Sequence, residues 1–239
     1  MPYILAPQIV LNSEIMWNEG VIYEKENIYK IKPGSVPPVN YDVHKIKSHS
    51  VTHAEGSLHV IADGKSIDEY FMDPSFFYGK CLVVKLKGNK YKLADRDKNI
   101  FHWMVSKEDL IEGIESATSG FKSVKIEKIL LTTENYPINK DGYHDPNHVL
   151  TLSIEAAEFL VQNEGFNLYG TSWKSSDYMP GSLERPIHKT LFTKAVIFEL
   201  LDLRNVPEGE YFFVGFPVRL QFASESPVTP VLFRKDEIL

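Results

Sequence analysis

The residues with the most chemistry in this sequence lie in one short run, His49-Ser50-Val51-Thr52-His53-Ala54-Glu55-Gly56-Ser57-Leu58-His59. Neutral imidazole and carboxylate are the usual ligands for zinc and manganese, and imidazole also carries protons near neutral pH. The run therefore suits a divalent metal site or a proton-transfer site. Packed or solvated histidines would produce the same letters, so spacing has to be weighed. On a helix His49 and His53 would share a face, but Glu55 would fall about 200° beyond His53. On an extended chain His49, His53, Glu55 and His59 have the same phase and project from one side. A straight strand would still hold His49 and His53 roughly 13 Å apart, too far for one ion. The chain has to bend. Thr52 disfavours helix and Gly56 permits a bend, so the run is expected on a curved loop leaving a strand.

A second group of candidates lies in the C-terminal half. Glu199 interrupts the apolar stretch from Ala195 to Leu201, and His188 precedes it. A buried carboxylate is costly unless it pairs with a cation, here a lysine or arginine, or holds a metal. His144-Asp-Pro-Asn-His148 repeats the four-residue histidine spacing, but the preceding Asp141-Gly142 and the internal Asp-Pro favour a solvated turn, or a lid over a site. Trp17, Trp103 and Trp173 suit core packing, or the wall of an aromatic substrate pocket. Cys81, in Cys-Leu-Val-Val, reads as a buried strand residue rather than a nucleophile.

The elements that must position these residues are partly visible. Strand-like runs occur at 81–86, 129–133, 166–169, 211–218 and 228–233. Ser106–Ala117 reads as a helix opened by a capping box, Ser106 with Asp109. Ser153–Asn163 reads as a second helix, with an apolar stripe of Ala156, Ala157, Leu160 and Val161 and Gly165 placed at its end. A third is expected over Pro186–Lys194. The charged segment from Lys85 to Lys98 reads as a solvated hairpin with a Gly-Asn turn, and Pro33 to Pro38 as a turn-rich break too short for a linker. Alternating helices and strands from about residue 106 to 170 favour an α/β fold.

The chain has 239 residues, 43% hydrophobic and 24% charged, which suits one folded globular domain spanning 1–239. A net charge of −6 with no basic run argues against nucleic-acid and anionic-membrane partners. A single cysteine excludes an intramolecular disulfide. The start of the sequence lacks the pattern of a signal peptide, and no stretch has the apolar length of a membrane span, so the expected location is the cytoplasm.

Together the motifs resemble the cyclase-like metal-dependent hydrolases, the family that includes bacterial kynurenine formamidase (arylformamidase) and isatin hydrolase. The family signature His-x-Gly-Thr-His-x-Asp-x-Pro-x-His is matched at His49, Thr52, His53 and His59, with Val51, Glu55 and Ser57 replacing Gly, Asp and Pro. A second pattern, Gly-x-Asp-Thr-x-Ser-x-Asp, is similar to Gly170–Asp177, with Ser172 and Trp173 replacing Asp and Thr. A third is similar to His188 through Leu201, and the likeness continues to about residue 235 through Asn205–Tyr211, Phe216–Leu220 and Ser226-Pro-Val.

The resemblance implies a compact α/β domain with a mixed, barrel-like β core, a homodimer, and hydrolysis of an amide, formamide or lactam by metal-activated water. The substrate would be a small molecule and the cofactor one or two divalent ions, zinc or manganese. His49, His53 and Glu55 would be ligands, His188 and Glu199 would complete a second site or a bridge, and His59 would transfer protons. Trp173 and Ser175, inside the second motif, would bind substrate. Glu55 and Ser172 depart from the pattern, which leaves room for a non-catalytic binding protein on the same fold. A metal-dependent lyase or dehydratase is a third reading.

Overall fold

Runs of β-branched and aromatic residues form strands where a sheet can bury side chains on both faces. The computed structural model describes residues 1–12, 20–118, 125–138, 144–178 and 184–237. Its strands are β1 (Tyr3–Ile4), β2 (Tyr23–Tyr29), β3 (Tyr41–Ile46), β4 (His53–Glu55), β5 (Tyr78–Leu86), β6 (Lys92–Asp95) and β7 (Ile100–Val105), then β8 (Lys128–Thr133), β9 (His148–Leu152), β10 (Leu168–Thr171), β11 (Val196–Glu199), β12 (Gly209–Val214), β13 (Glu225–Pro227) and β14 (Val231–Phe233). The helices are α1 (Lys107–Ala117), α2 (Ile154–Gln162) and α3 (Pro186–Leu191). Nine strands hydrogen-bond in the order β1-β14-β12-β5-β8-β10-β11-β4-β13, and the sheet curls into a half barrel. Its middle strands β5, β8, β10 and β11 run parallel, and β4, β12 and β13 add antiparallel. The expected mixed α/β architecture with a barrel-like core is present.

Alternation along the middle strands decides where the chemistry points. Leu82, Val84, Ile129, Leu131, Tyr169 and Ile197 pack beneath the helices. Cys81, Val83, Leu130, Leu168, Val196 and Phe198 pack on the other face. Glu199 is in phase with Ile197, so it emerges on the helix side. Ala54 belongs to the opposite face, which puts His53 and Glu55 on the helix side too. Pairing of Glu199 with His53 and of Ile197 with Glu55 then brings the two sequence regions together.

Both long helices begin at their expected caps. Asp109 N donates to Ser106 Oγ (3.1 Å) and Ser106 N donates to Asp109 Oδ2 (3.4 Å), completing the capping box. Ala156 N donates to Ser153 Oγ at 3.2 Å. Gly113 faces the sheet, where an added Cβ would stand 2.7 Å from Val84 Cγ1. Gly165 ends the α2 region at φ +81°, as an end-of-helix glycine should. The third helix is shorter than expected and ends at Leu191.

Several strands also differ at their ends. β12 stops at Val214, before Gly215 and Pro217, and β14 starts only after Pro230. The Lys85–Lys98 hairpin does not form. Leu86 remains in β5, paired with β8, while β6 leaves to join β7 and β9 in a separate three-stranded sheet. Burial of Val84 and Leu86 outweighs the local Gly-Asn turn signal. Cys81 is buried, and burial pushes its thiol pKa up, as a structural cysteine requires. Trp103 is a core residue, and Trp17 lies outside the described residues.

His144 corrects the solvated-turn reading. It is buried, stacked on Tyr136 (ring centroids 5.6 Å) and edge-on to Trp173 (5.9 Å). His148 opens β9 opposite Phe101 and stacks on that ring at 5.2 Å, with its Nδ1 2.8 Å from Asp145 Oδ2. Burial lowers the His144 pKa to about 3, so the folded state accepts only the neutral ring. The unfolded chain takes up a proton near pH 6.5, so stability falls as pH drops from about 6.5 towards 3. His144→Phe should reduce that slope by up to about 1.4 kcal/mol per pH unit, measured by urea unfolding across this window. An unchanged slope would show that the ring is not held neutral.

Candidate metal centre

β4 is a strand of three residues held between two short 3-10 turns, Ser48–Ser50 and Ser57–His59. This replaces the expected curved loop. The strand supplies His53 and Glu55, and the turns fold His49 and His59 back over them, which shortens the spacing a straight strand would impose. Gly64 N donates to Ile61 O and Leu58 N to Lys65 O, closing the second turn. The fit there is tight, since a Cβ at Gly64 would sit 2.4 Å from the Ser57 carbonyl carbon.

The expected residues converge on Glu55. Its Oε1 lies 3.1 Å from His53 Nε2, 3.3 Å from His59 Nε2 and 3.4 Å from His49 Nδ1. Its Oε2 lies 3.3 Å from His188 Nε2. Glu199 stands beside it, Oε1 at 3.6 Å from His188 Nε2 and Oε2 at 4.0 Å from His53 Nε2. No lysine or arginine pairs with either carboxylate among their described ion pairs. Potential ligand atoms fall into two groups, His49, His53, Glu55 and Glu199, and Glu55, His59 and His188, each within 4.8 Å. Glu55, one methylene longer than the Asp of the family pattern, is common to both groups.

The surrounding contacts aim the ring nitrogens inward. His53 Nδ1 is 2.8 Å from Val51 O, so it donates there and its Nε2 is turned towards the carboxylates. His188 Nδ1 is 2.5 Å from Asp177 Oδ2, which turns its Nε2 towards Glu55 and Glu199. Asp177 is itself held by the backbone N–H groups of Ile187 (3.0 Å) and His188 (2.9 Å). Ser176 N and Oγ both donate to Glu199 Oε1, at 2.7 and 2.8 Å. Asp177 was visible in the sequence as a kept motif position. Ser176 carries no sequence signal of its role. Glu225, whose Oε2 is 3.4 Å from His59 Nδ1, has none either, because only strand pairing brings it to the cluster.

The electrostatics are those of a cation site. Burial pushes the Glu55 carboxyl up, but hydrogen bonds from His188, His49 and His53 outweigh it and hold Glu55 well below the usual carboxylate range. Burial and then the neighbouring Glu55 charge raise Glu199. His188 is buried, which disfavours its cation, yet the hydrogen bonds to Asp177 and Glu55 raise it to about 10. Glu199 Oε2 is buried without a hydrogen-bond partner and Glu55 Oε2 has His188 Nε2 beside it at 3.3 Å, an arrangement a divalent cation would satisfy. The residues present therefore fit the implied metal.

The two substrate-binding candidates sit just outside this shell. Trp173 is 0% exposed and packs edge-on to Tyr136 at 5.3 Å, while its carbonyl accepts from Leu200 N at 3.0 Å. Ser175 Oγ donates to Asp177 O at 3.0 Å and accepts from Arg185 Nη1 at 3.1 Å. Ser172, where the family pattern has Asp, is buried with its hydroxyl unpartnered.

Comparison with known proteins identifies the family. The family model named Cyclase, described as “Putative cyclase”, matches residues 9–178. A kynurenine formamidase of Erythrobacter litoralis is 26% identical over 209 residues, covering 86% of this chain and 81% of that protein. One from Salinibacter ruber is 25% identical over 195 residues, covering 81% and 80%. Isatin hydrolase A from Labrenzia aggregata superposes with a TM-score of 0.71 at 17% identity, covering 97% of this chain and 93% of that one. A predicted metal-dependent hydrolase from Bacillus stearothermophilus gives 0.67 at 20% identity, with 97% of each chain covered. The family match spans most of the chain and includes His49, His53, Glu55 and His59, so the chain belongs to the cyclase family.

Proposed function

We propose that this chain is a metal-dependent hydrolase that cleaves a non-peptide C–N bond, an amide, formamide or lactam, in a small molecule. The observation that carries the reading is the pair of buried carboxylates, Glu55 and Glu199, facing histidine nitrogens on one side of the sheet. Relatives named kynurenine formamidase and isatin hydrolase support the bond type. His49, His53, Glu55 and Glu199 would hold one ion, and His188 with Glu55 would hold or share a second, zinc or manganese. When bound, such an ion lowers the pKa of water from about 15.7 to near 7 and polarises a carbonyl.

The chain's own groups do the rest. His53, Glu55, His188 and Glu199 are buried, whereas the side chains of His49 and His59 are 32% and 19% exposed. Substrate therefore approaches past His49 and His59. His59 Nε2 faces the cluster, placed to take a proton as the carbonyl is attacked and to return it to the leaving nitrogen. Trp173 and Ser175, on the segment that carries Ser176 and Asp177, would contact the substrate. We place the enzyme in the cytoplasm as a homodimer of one-domain chains.

Two measurements check this reading. His53→Ala and Glu199→Ala should each lower the zinc or manganese retained per chain after dialysis, measured by plasma mass spectrometry. Asp177→Asn should keep the ligands but weaken metal affinity about 10- to 100-fold. Undiminished binding in all three would contradict the site. Separately, His59→Ala should retain its metal yet lose at least about 100-fold in turnover across a panel of an aryl formamide, a lactam and a lactone. Full turnover in that variant would remove His59 from the chemistry.

A further inference from the structure

Glu225 has no place in the sequence motifs and is absent from the metal-ligand groups, yet it faces the centre. β13 pairs with β4 so that Glu225 lies directly opposite Glu55, and the two side chains leave the sheet on the same face. Between them stands the His59 ring. Its Nε2 is 3.3 Å from Glu55 Oε1 and its Nδ1 is 3.4 Å from Glu225 Oε2. The imidazole is bracketed by carboxylates at both nitrogens.

The backbone beneath the ring is closely held. Gly56 N donates to Ser224 O at 2.9 Å and Ile67 N to Ala223 O at 2.8 Å, tying the His59 turn to the segment that carries Glu225. Lys65 N donates to Ser57 Oγ at 2.7 Å. Ser224 Oγ donates to Glu225 Oε2 and fixes that carboxylate. What the backbone cannot fix is which ring nitrogen carries the proton. Glu55 alone would draw it to Nε2, and the lone pair would then point away from the cluster. A neutral histidine serves as a base only through the nitrogen that bears the lone pair.

We infer that Glu225 is a positioning residue for His59: it accepts the Nδ1 proton, so that the Nε2 lone pair is presented to the metal cluster and the substrate. This rests on the proton-transfer role of His59 proposed above. When Nε2 takes a proton during the reaction, the ring becomes a cation with both N–H groups facing carboxylates, and Glu225 stabilises that state without itself being protonated. The logic is that of a carboxylate behind a catalytic histidine.

The test combines spectroscopy of the metal-free protein with kinetics of the metal-loaded protein. Nitrogen-15 NMR of histidine-labelled, metal-free protein, at a pH high enough that His59 carries one proton, should place that proton on Nδ1. In Glu225→Gln, whose amide can donate to Nδ1, it should move to Nε2. The same variant should keep its metal and lose about 10- to 100-fold in kcat for an aryl formamide, with KM within about twofold. In a His59→Ala background, Glu225→Gln should cost nothing further. Finding the proton on Nε2 in the unsubstituted protein overturns the proposal whatever the variant does. So does an equal kcat loss from Glu225→Gln with His59 absent. Full turnover of His59→Ala would instead overturn the proton-transfer reading, leaving the tautomer result to stand by itself.

Discussion

Two carboxylates buried side by side are the constraint around which this protein is arranged. Glu55 and Glu199 are both 0% exposed, and Glu199 has an oxygen with no hydrogen-bond partner. Like charges without solvent repel strongly, and neither carboxylate has a lysine or arginine partner among its described ion pairs. Positive charge has to come from somewhere. Protons on the histidines supply part of it, as the rise of His188 shows, and a divalent ion supplies it with better geometry. The same charge balance would be met by a divalent cation held between the two carboxylates.

The fold meets this constraint by strand pairing. β4 is only three residues long, but it lies between β11 and β13, so its register is set from both sides. Glu199 ends its strand at an abrupt turn, because Leu200 has φ +58°, a left-handed conformation that costs a non-glycine residue about 1–2 kcal/mol. The strained residue is held at both ends: Thr52 Oγ1 donates to its carbonyl at 2.7 Å, and its N–H donates to Trp173 O at 3.0 Å. Thr52 is one of the motif residues, and this hydrogen bond gives it a physical role next to the ligands. The 171–177 segment then supplies Ser176 to Glu199 and Asp177 to His188. A second layer of contacts of this kind is what orients ligands in metal sites.

Much of the centre was legible in the sequence because its signals are local. The shared phase of His49, His53, Glu55 and His59 pointed to one face, and the interruption of an apolar strand by Glu199 pointed to a partner. The caps at Ser106 and Ser153 marked both long helices. What was not legible depends on partners distant in sequence. A three-residue strand has no periodicity to detect, so β4 read as a loop. The Gly-Asn turn after Leu86 suggested a hairpin that the central position of β5 forbids. His144 lies in a turn-like string, and only Tyr136 and Trp173 explain its burial. Glu225 looks like an ordinary surface acid until the β4–β13 register sets it opposite Glu55.

The most direct measurement of the central claim is anomalous X-ray scattering from crystals grown with zinc or manganese, collected at the absorption edge of the metal. The account predicts a peak about 2.0–2.2 Å from carboxylate oxygens of Glu55 and Glu199 and in reach of His49 and His53 nitrogens. Anomalous density only at other residues, with Glu55 and Glu199 paired to protein groups instead, would contradict it.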